Sequence, residues 1–501
     1  METLAQLGFG FMVAFEPWNI FYCFVGVLVG TLIGVLPGLG PTATLAMLLP
    51  VTYGLPAESA LIMLAGIYYG SQYGGSTTAI LVNLPGESSS VITCLDGYAM
   101  ARQGRAGPAL AIAAIGSLFA GTVATFILGV AAQPISRVVQ SFGAAEYFSL
   151  MVLGLATAVV LASGSVFKAV MMVVLGLFLG TVGADATTGV SRYTFGILEL
   201  YDGIDFIPLA MGLFGISEVL RSLEAVEKRS VLNAKITGLM PTRADMKASF
   251  PAIVRGTTLG SILGMLPGGG AALSSFAAYS LEKKLSKQPQ RFGQGAIEGV
   301  AAPEAANNAG AQMAFVPLLT MALPSNSVMA LMMGALLIQG IQPGPNIITE
   351  QPVLFWELVA SMWIGNLMLV VINLPLVGIW VWLLRVPYRL LFSIILVVCC
   401  IGVYSVNNSS FEVLLTALFG LLGYMFIKLG CEPAPLLLGF ILGPMMEEYL
   451  RRALLLSRGS FMTFIDRPLS AVLLVLAVML LVATVLPTIR AKREKVFTEE
   501  Q

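Results

Sequence analysis

A chain of 501 residues in which 57% are hydrophobic and only 11% are charged is too apolar for a soluble domain, where charged residues average about 25%. The mean hydropathy of +0.88 indicates a membrane protein, and at about 20 apolar residues per crossing its hydrophobic runs accommodate roughly ten to twelve helices. The formal net charge of zero argues against a nucleic-acid partner. The absence of His, together with five Cys that form no CxxC pair, argues against zinc and imidazole chemistry.

The first apolar segment stops at Leu36-Pro37-Gly38, and the same turn returns 230 residues later at Leu266-Pro267-Gly268. Six of eleven positions match between residues 30–40 and residues 260–270. Proline removes a helix hydrogen bond and glycine relaxes the backbone, so each copy predicts a membrane helix that is broken within the bilayer. A duplicated broken helix is typical of secondary transporters.

The distribution of basic residues predicts which segments face the cytoplasm. The first basic residue is Arg102, so we expect the N-terminus on the outer side and the loop at residues 102–105 on the inner side. Residues 219–255 hold seven basic residues against three acidic ones, which predicts a cytoplasmic linker between two halves. The predicted division is a first half at 1–218, a linker at 219–250, a second half at 251–468, and a C-terminal helix with a basic cytoplasmic tail at 469–501.

Apolar runs of nearly a bilayer thickness predict further membrane helices in both halves. In the first half they lie at about residues 108–132, 147–162, 167–182 and 206–220. In the second half they lie at about residues 251–266, 271–281, 357–384, 390–406, 411–429 and 469–485. The predicted fold class is an all-α polytopic membrane protein with broken helices and re-entrant hairpins.

The charges of equivalent loops distinguish parallel from inverted repeats, because inversion must exchange the sides of those loops. Residues 51–58 carry no basic residue, whereas their counterpart at 282–291 carries four. The relation reverses at the next loop, where residues 102–105 with two Arg correspond to the uncharged residues 341–344. Two exchanges favour two inverted repeats over parallel ones, and over a chance recurrence in Gly-rich membrane helices.

Each half contains a second polar stretch inside apolar sequence. In the first half it covers residues 68–78 and is followed by a Leu-Pro turn at residues 83–87. In the second half it covers residues 302–308 and is followed by a Leu-Pro turn at residues 323–327. Because hydrocarbon offers unpaired backbone groups no partner, we expect these breaks and the first pair to converge on one protein-lined site near the midplane.

The residue types at these breaks predict how a ligand is held. Glycine lets backbone N–H groups approach closely, and a half-helix that begins at Gly or Ser directs partial positive charge at an anion. Neither motif contains Lys or Arg, so we expect a carboxylate to bind to helix N-termini and to Ser, Thr and Asn side chains. A co-transported cation, Na⁺ or a proton, would offset the remaining charge, and no other cofactor is expected. The oxygens of Ser71, Thr77, Asn307 and Asn308 suit sodium.

The predicted site residues come from all four breaks. The substrate- or ion-binding candidates are Gly38, Gly40, Ser71, Gln72, Tyr73, Gly74, Ser76, Thr77, Asn83, Pro85, Gly268, Gly270, Ser274, Glu304, Asn307, Asn308, Ser325 and Asn326. The predicted helix breaks or hinges are Pro37, Pro267 and Pro324. Glu304 stands out because a carboxylate in an apolar setting is by default functional, with acceptance of backbone hydrogen bonds as its structural alternative. The alternative roles are helix capping for the two Asn residues and bridging of packed helices for Ser76 and Thr77.

Three stretches, at residues 68–87, 267–271 and 298–308, carry a resemblance to a known family. With them the chain resembles, nearly end to end, the large membrane subunit (TctA) of tripartite tricarboxylate transporters. The resemblance implies a bacterial inner-membrane symporter that works with a small membrane subunit (TctB-like) and a periplasmic solute-binding protein (TctC-like), which delivers citrate or another organic anion. The sequence departs from the expected Pro-Gly turn at Pro324-Ser325, and this departure bears on substrate choice.

The leading hypothesis is cation-coupled uptake of tricarboxylates by alternating access around the midplane site. A close alternative is a self-sufficient carboxylate symporter that needs no binding protein. An intramembrane enzyme belongs to a different class, and the absence of His and of GxSxG and HExxH patterns argues against it. We therefore predict a transporter and not an enzyme.

Overall fold

The computed structural model describes residues 2–36, 40–162, 165–185, 187–224, 238–266, 270–383 and 388–485. Over these residues the chain is almost wholly helical. Its regular β-structure there is one antiparallel pair, β1 (Gly183–Ala184) and β2 (Ser191–Arg192), in which Gly183 pairs with Arg192. The predicted all-α fold class is confirmed.

The helices of the first half are joined by short connections. They are α1 (Glu2–Ala14), α2 (Pro17–Val35), α3 (Pro41–Tyr53), α4 (Ala57–Val82), α5 (Val91–Thr93), α6 (Ala99–Arg102), α7 (Ala106–Val139), α8 (Ala144–Leu161), α9 (Val166–Leu179), α10 (Phe206–Ala210) and α11 (Ser217–Glu224). Short 3-10 turns lie at Ser88–Ser90 and Leu198–Leu200, and a π-helical turn lies at Cys94–Tyr98. A second π-helical turn, Met211–Ile216, joins α10 to α11 in one continuous span.

The second half follows residues 225–237, a part of the predicted linker that lies outside the described residues. Its helices are α12 (Arg243–Gly264), α13 (Gly270–Leu285), α14 (Glu298–Met313), α15 (Phe315–Met321), α16 (Ser327–Ile338), α17 (Ile347–Glu350), α18 (Pro352–Asn373), α19 (Val377–Leu383), α20 (Tyr388–Asn407), α21 (Ser410–Lys428), α22 (Pro433–Leu456), α23 (Thr463–Asp466) and α24 (Pro468–Val485), with a 3-10 turn at Pro289–Arg291. Helix α12 begins before the predicted boundary at residue 251, because Thr242 caps it and exchanges hydrogen bonds with Asp245.

Five helices of the described residues are long and apolar enough to cross a membrane, namely α2, α7, the α10–α11 span, α18 and α21. This number makes the chain a polytopic membrane protein. Helices α4 and α22, with 26 and 24 residues, have sufficient length at ~1.5 Å per residue but contain more polar residues. The sequence analysis does not predict α22, because three Pro residues and a charged C-terminal half interrupt its apolar run.

Glycines spaced four residues apart bring two pairs of helices into backbone contact. A Cβ at Gly26, Gly30 or Gly34 of α2 would lie 2.3, 2.4 or 2.3 Å from a carbonyl oxygen of α4. The same arrangement recurs in the second half, where Gly256 and Gly260 of α12 would meet carbonyl oxygens of α14 at 2.3 and 2.4 Å. Small residues at this spacing let membrane helices pack closely, so the glycines around the first motif form a packing surface as well as a break.

The two halves contact each other with equivalent helices antiparallel. Along α7 and α18, Gly121 packs on Asn366 and Gly129 packs on Trp356, so residue numbers rise in one helix as they fall in the other. Helix α4 and the α14–α15 segment run the same way, since Ser76 contacts Glu304 and Tyr68 contacts Phe315. An in-plane two-fold axis turns equivalent helices antiparallel whereas an axis along the membrane normal keeps them parallel, so this packing supports inverted repeats.

The predicted breaks at residues 68–78 and 302–308 are wrong. Both stretches are helical, the first inside α4 and the second inside α14. Their glycines and alanines look like helix breakers in the sequence, but the close approach of α2 and α12 requires small side chains, and the helical backbone satisfies its own polar groups.

The second pair of breaks lies instead at the Leu-Pro turns. Asn83 ends α4 and Ala322 ends α15, and both adopt left-handed backbone conformations, with φ of 59° and 55°. After each turn an extended residue starts the next helical segment, Glu87 in the first half and Asn326 in the second. The alignment of the two Leu-Pro turns that the sequence predicts therefore has a counterpart in the backbone.

The outer helices of the two halves pack on each other crosswise. Helix α9 packs mainly on α22, and α21 packs mainly on the α10–α11 span. Since α9 and α21 follow equivalent positions in the two halves, each half supplies a helix to the other half's periphery. The described helices form one interlocked assembly around the central pairs α2–α4 and α12–α14.

Candidate functional site

A cavity of about 370 Å³ lies where the breaks of both halves meet. The starts of α3 and α13 line it at Gly40 and Gly270, and the segments after the two Leu-Pro turns line it at Glu87 and Asn326. Helices α8 and α22 close it from the periphery. Its volume falls within the range of about 300–1,000 Å³ that is usual for small-molecule sites.

Four helices of twelve or more residues begin at this cavity. Gly40 precedes α3, α13 starts at Gly270, Asn326 caps α16, and Glu432 precedes α22. The first backbone N–H groups of a helix have no partner within the helix and carry partial positive charge. No lining residue of the described cavity is Lys or Arg, so these N-termini are its main source of positive potential.

Glu87 is the acidic side chain that the first half contributes to the cavity. Its Oε1 accepts hydrogen bonds from Ser89 Oγ at 2.7 Å and from Asn307 Nδ2 at 3.4 Å. Ser89 also contacts the side-chain oxygen of Gln72 at 2.9 Å. Gly75 leaves room for this arrangement, because a Cβ there would lie 3.0 Å from Glu87 Cγ. The group joins α4, α14 and the turn after Pro85 at the cavity wall.

Glu304 of α14 is completely buried one layer behind this wall. Its two carboxylate oxygens accept short hydrogen bonds from Ser76 Oγ of α4 and from Thr93 Oγ1 of α5. Both donors belong to the other half of the chain, so this carboxylate joins the halves. Its charge also acts electrostatically on Glu87, which links Glu304 to the cavity.

A second, water-sized cavity of about 10 Å³ lies beside Ser76. Tyr73, Thr77, Ser117 and Asn373 line it, and a space of this size holds about one water molecule. Tyr73 Oη and Asn373 Oδ1 have no hydrogen-bond partner among the described residues. Two buried orphan polar atoms facing one small space are typical of an internal water site.

The structure brings many of the predicted site residues together. Of the residues predicted from sequence, those that line the large cavity are Gly40, Gln72, Gly270, Ser325 and Asn326. Those that line the small cavity are Tyr73, Ser76 and Thr77. Asn307 contacts Glu87, and Asn308 donates to Ser117 Oγ at 2.7 Å, so the α14 candidates join the two cavities.

Other predicted residues lie away from the cavities. Ser71 and Gly74 face α2 in the glycine contact, and the Ser71 hydroxyl donates to the carbonyl of Tyr68. Ser274 donates to the carbonyl of Gly270 in its own helix, and Asn83 is exposed. Pro85 and Pro324 lie in the Leu-Pro turns. Four predicted residues lie outside the described residues, namely Pro37, Gly38, Pro267 and Gly268.

The four predicted sodium ligands do not share one location. Thr77 lines the small cavity and Asn308 lies beside it through Ser117, whereas Asn307 contacts Glu87 and Ser71 faces α2. Within the described residues, no group of three or more His, Cys, Asp or Glu side chains is placed to hold a metal ion. A sodium site made of these four oxygens stays a prediction.

Sequence reasoning misses several residues that build the site. Thr42 and Ser327 line the large cavity and contact each other at 3.1 Å between their hydroxyl oxygens. Each follows a predicted break by one or two residues, which is a signal that the sequence offers. Thr93 and the α22 start at Glu432 carry no local signal, because they reach the site only through the packing of distant segments.

The comparisons with known proteins agree with this arrangement. Residues 20–438 match the model of the tripartite tricarboxylate transporter TctA family. A protein of Agrobacterium vitis described as an uncharacterized 52.8 kDa protein in the TAR-I ttuC' 3' region is 57% identical over 500 residues, which cover all of both chains. A second, described as an uncharacterized protein in the TAR-II ttuC' 3' region of the same organism, is 57% identical over 241 residues, 48% of this chain and all of that protein. No solved structure matches the chain. The chain belongs to the TctA family of tripartite tricarboxylate transporters.

Proposed function

We propose that this chain takes up tricarboxylates such as citrate, or related organic anions, by cation-coupled alternating access. The observation that carries the proposal is the large cavity, on which four helix N-termini converge without a Lys or Arg side chain. Family membership supports the transport role.

Backbone and small polar groups supply the contacts for the anion. The first N–H groups of α3 and α13 approach the ligand closely because Gly40 and Gly270 precede or start these helices. The hydroxyls of Thr42 and Ser327 and the amide of Asn326 add donors on the same wall. Such a site recognises carboxylate groups without the tight hold of a bidentate Arg, which suits a ligand that must be released.

Acidic side chains at the cavity favour a coupling cation. Glu87 and Glu432 line the cavity and Glu304 lies behind it, so an anion enters a site that already contains carboxyl groups. Charges of one sign close together in a low dielectric repel strongly, and a bound Na⁺ or proton relieves this repulsion. Binding of cation and anion then becomes mutually dependent, which is the requirement for symport.

The partners follow from the family. We propose a TctB-like small membrane subunit and a TctC-like periplasmic solute-binding protein, with the assembly in the bacterial inner membrane. A stand-alone symporter without the binding protein is the second candidate, favoured by the presence of a complete cavity within this one chain.

Uptake into proteoliposomes tests the proposal. Radiolabelled citrate is supplied to vesicles that contain this chain with the small subunit and the binding protein, under imposed sodium and proton gradients. We expect accumulation that stops when both gradients are collapsed. Accumulation that persists without either gradient would reject cation coupling, and full uptake by this chain alone would favour the stand-alone symporter.

A further inference from the structure

We propose that a proton route runs along the contact of α18 with α4, from Glu357 to Glu304, and delivers the coupling proton to the back of the large cavity. This inference rests on the proposed function and deepens it, because it assigns the coupling ion and names side chains outside the predicted site. The buried carboxyl of Glu357, the polar groups between the two Glu residues and the small cavity carry the argument.

Glu357 lies one and a half turns inside the span α18 and is 1% exposed. Neither of its carboxylate oxygens has a hydrogen-bond partner among the described residues. A buried carboxylate without a partner is costly in a membrane helix, so such a residue marks an ion or proton pathway by default. Glu357 is not among the residues that the sequence analysis selects.

The groups around Glu357 are acidic. Glu58 at the start of α4 and Glu16 between α1 and α2 both repel its negative form. Helices α1, α2 and α4 contain no Lys or Arg, and the one basic residue of α7, Arg137, is exposed near that helix's end. With like charges and no cation beside it, the neutral carboxylic acid is the favoured form of Glu357, and a proton can be passed on from it.

Polar groups continue from Glu357 along the same ridge of α18. Ser361 follows one turn later, and the hydroxyl of Tyr69 from α4 lies beside it and beside Cys23. Gly365 follows after another turn, and a Cβ there would lie 2.5 Å from Tyr69 Oη. The glycine therefore leaves the space that this hydroxyl occupies.

The small cavity connects this ridge to Glu304. Tyr73 lies one turn after Tyr69 on α4, and its unpartnered hydroxyl faces the small cavity together with Asn373 of α18. Ser76 lines the same cavity and donates directly to Glu304. The steps between successive groups are about one helical turn of 5.4 Å, which one water molecule can bridge.

The dimensions favour a proton over sodium. The small cavity holds about one water molecule, which is too little for a hydrated metal ion. The groups along the route are hydroxyls, amides and single carboxyls, which relay protons but do not surround a cation with several oxygens at one point. In the proposed step a proton from the side of Glu357 protonates the Glu304 carboxylate. It thereby removes the negative charge behind Glu87, and on release of the substrate it leaves Glu304 as a carboxylate again.

The test separates net proton transfer from substrate exchange. Proteoliposomes with all three components and internal pyranine are assayed for citrate accumulation under an inward proton gradient in sodium-free buffer, and for citrate counterflow at equal pH. Counterflow needs no net movement of protons. We expect Glu357→Gln to lose accumulation and the associated pyranine signal but to retain counterflow, and Tyr69→Phe to slow accumulation while counterflow is unchanged.

Glu350→Gln is the matched control, because this carboxylate lies on α17 next to α18 and is exposed. It is expected to behave like the unmodified chain in both assays. Absence of counterflow in the unmodified chain would count against the proposed function. Normal proton-driven accumulation by Glu357→Gln, normal accumulation by Tyr69→Phe, or wild-type accumulation that depends on sodium alone would each overturn the proton route.

Discussion

Glu304 is held by hydroxyl groups from two elements of the opposite half, Ser76 of α4 and Thr93 of α5. A carboxylate that is fully buried keeps its charge only with such donors, since each one replaces a hydrogen bond to water. The residue therefore serves two purposes, because it joins the halves and sets the charge behind the cavity. Both purposes depend on side chains that are distant in sequence.

Loss of one donor to Glu304 is expected to destabilise the chain. Ser76→Ala removes a hydrogen bond to a buried charged group, and leaving such a group unsatisfied costs about 1–3 kcal/mol. The thermal unfolding of the purified protein in detergent measures the effect. Ser141→Ala is the control, because Ser141 is exposed and its hydroxyl contacts only the carbonyl of Val138. Equal unfolding temperatures for both variants would contradict the role of Ser76.

Asp185 provides a pH test outside the membrane-spanning segments. Backbone N–H groups of Thr188 and Thr187, both 2.8 Å from its Oδ1, and the guanidinium of Arg451 hold the pKa of Asp185 well below its ordinary value. Its contribution to stability is therefore present above the unfolded-state pKa and is lost as pH falls through the lower, folded-state pKa.

The expected result is a stability difference between the unmodified chain and Asp185→Asn that is constant from neutral pH to about pH 5 and declines below about pH 4. Thermal unfolding at a series of pH values measures it. Arg192 and Glu447 also contact this group and are unchanged in both proteins. A difference that grows as pH falls would contradict this assignment.

At the scale of elements, the contacts α2–α4 and α12–α14 depend on glycines at every fourth position. Because these helices run parallel with a constant register, the backbone of one helix lies against the backbone of the other along three turns. Such packing fixes the end of α2 and the end of α12 next to the large cavity. The position of the first pair of breaks thus follows from close helix packing.

Addition of a methyl group to this contact is expected to separate the helices. Gly260→Ala places a Cβ 2.4 Å from the carbonyl oxygen of Ala306, and overpacking of this kind typically costs about 1–3 kcal/mol. Gly8→Ala is the control, because no atom lies within 4 Å of a Cβ at that position. The folded yield after membrane extraction and the unfolding temperature compare the two variants. A Gly260→Ala protein as stable as Gly8→Ala would refute the packing role.

The sequence allows the helix ends to be predicted more reliably than the helix interiors. The Leu-Pro turns were predicted correctly because proline and a left-handed residue stop a helix wherever they occur. Residues 68–78 were misjudged because glycine favours both a break and a close helix contact, and only the partner helix decides between them. The spacing of Gly26, Gly30 and Gly34 was nevertheless visible in the sequence.

At the scale of the whole molecule, Asp96 joins the halves on the side predicted to face the cytoplasm. Its Oδ1 accepts hydrogen bonds from the backbone N–H groups of Gly293, Gly295 and Ala296 at 2.9, 2.7 and 2.8 Å. The Tyr279 hydroxyl donates to its other oxygen at 3.0 Å. One buried side chain thus fixes the loop between α13 and α14 to the segment before α7.

Replacement of this carboxylate is expected to release the loop. Asp96→Ala leaves three backbone N–H groups without their acceptor, whereas Asp96→Asn keeps an oxygen and is expected to have a smaller effect. Limited trypsin digestion in sealed inside-out vesicles measures exposure of the exposed residues Lys287 and Arg291. Faster cleavage in Asp96→Ala than in Asp96→Asn is the expected order, and equal cleavage in all three proteins would exclude the tether.

The site as a whole was only partly predictable. The motifs identify both the starts of α3 and α13 and the Leu-Pro turns, because local residue types determine where helices begin and end. The walls from α8 and α22 and the donors to Glu304 arise from contacts between segments far apart in the chain. No local pattern encodes such contacts, so they required the folded structure.

The central claim is that both halves form one carboxylate site, and cysteine protection tests it most directly. Thr42 and Ala272 occupy equivalent positions after the two repeated breaks and line the same cavity. Labelling of Thr42→Cys and Ala272→Cys by a charged methanethiosulfonate reagent is compared with and without citrate, with the exposed Gln288→Cys and the unmodified chain as controls. We predict that citrate slows labelling at both cavity positions and leaves the controls unchanged. Protection at neither position, or at one alone, would contradict a shared site.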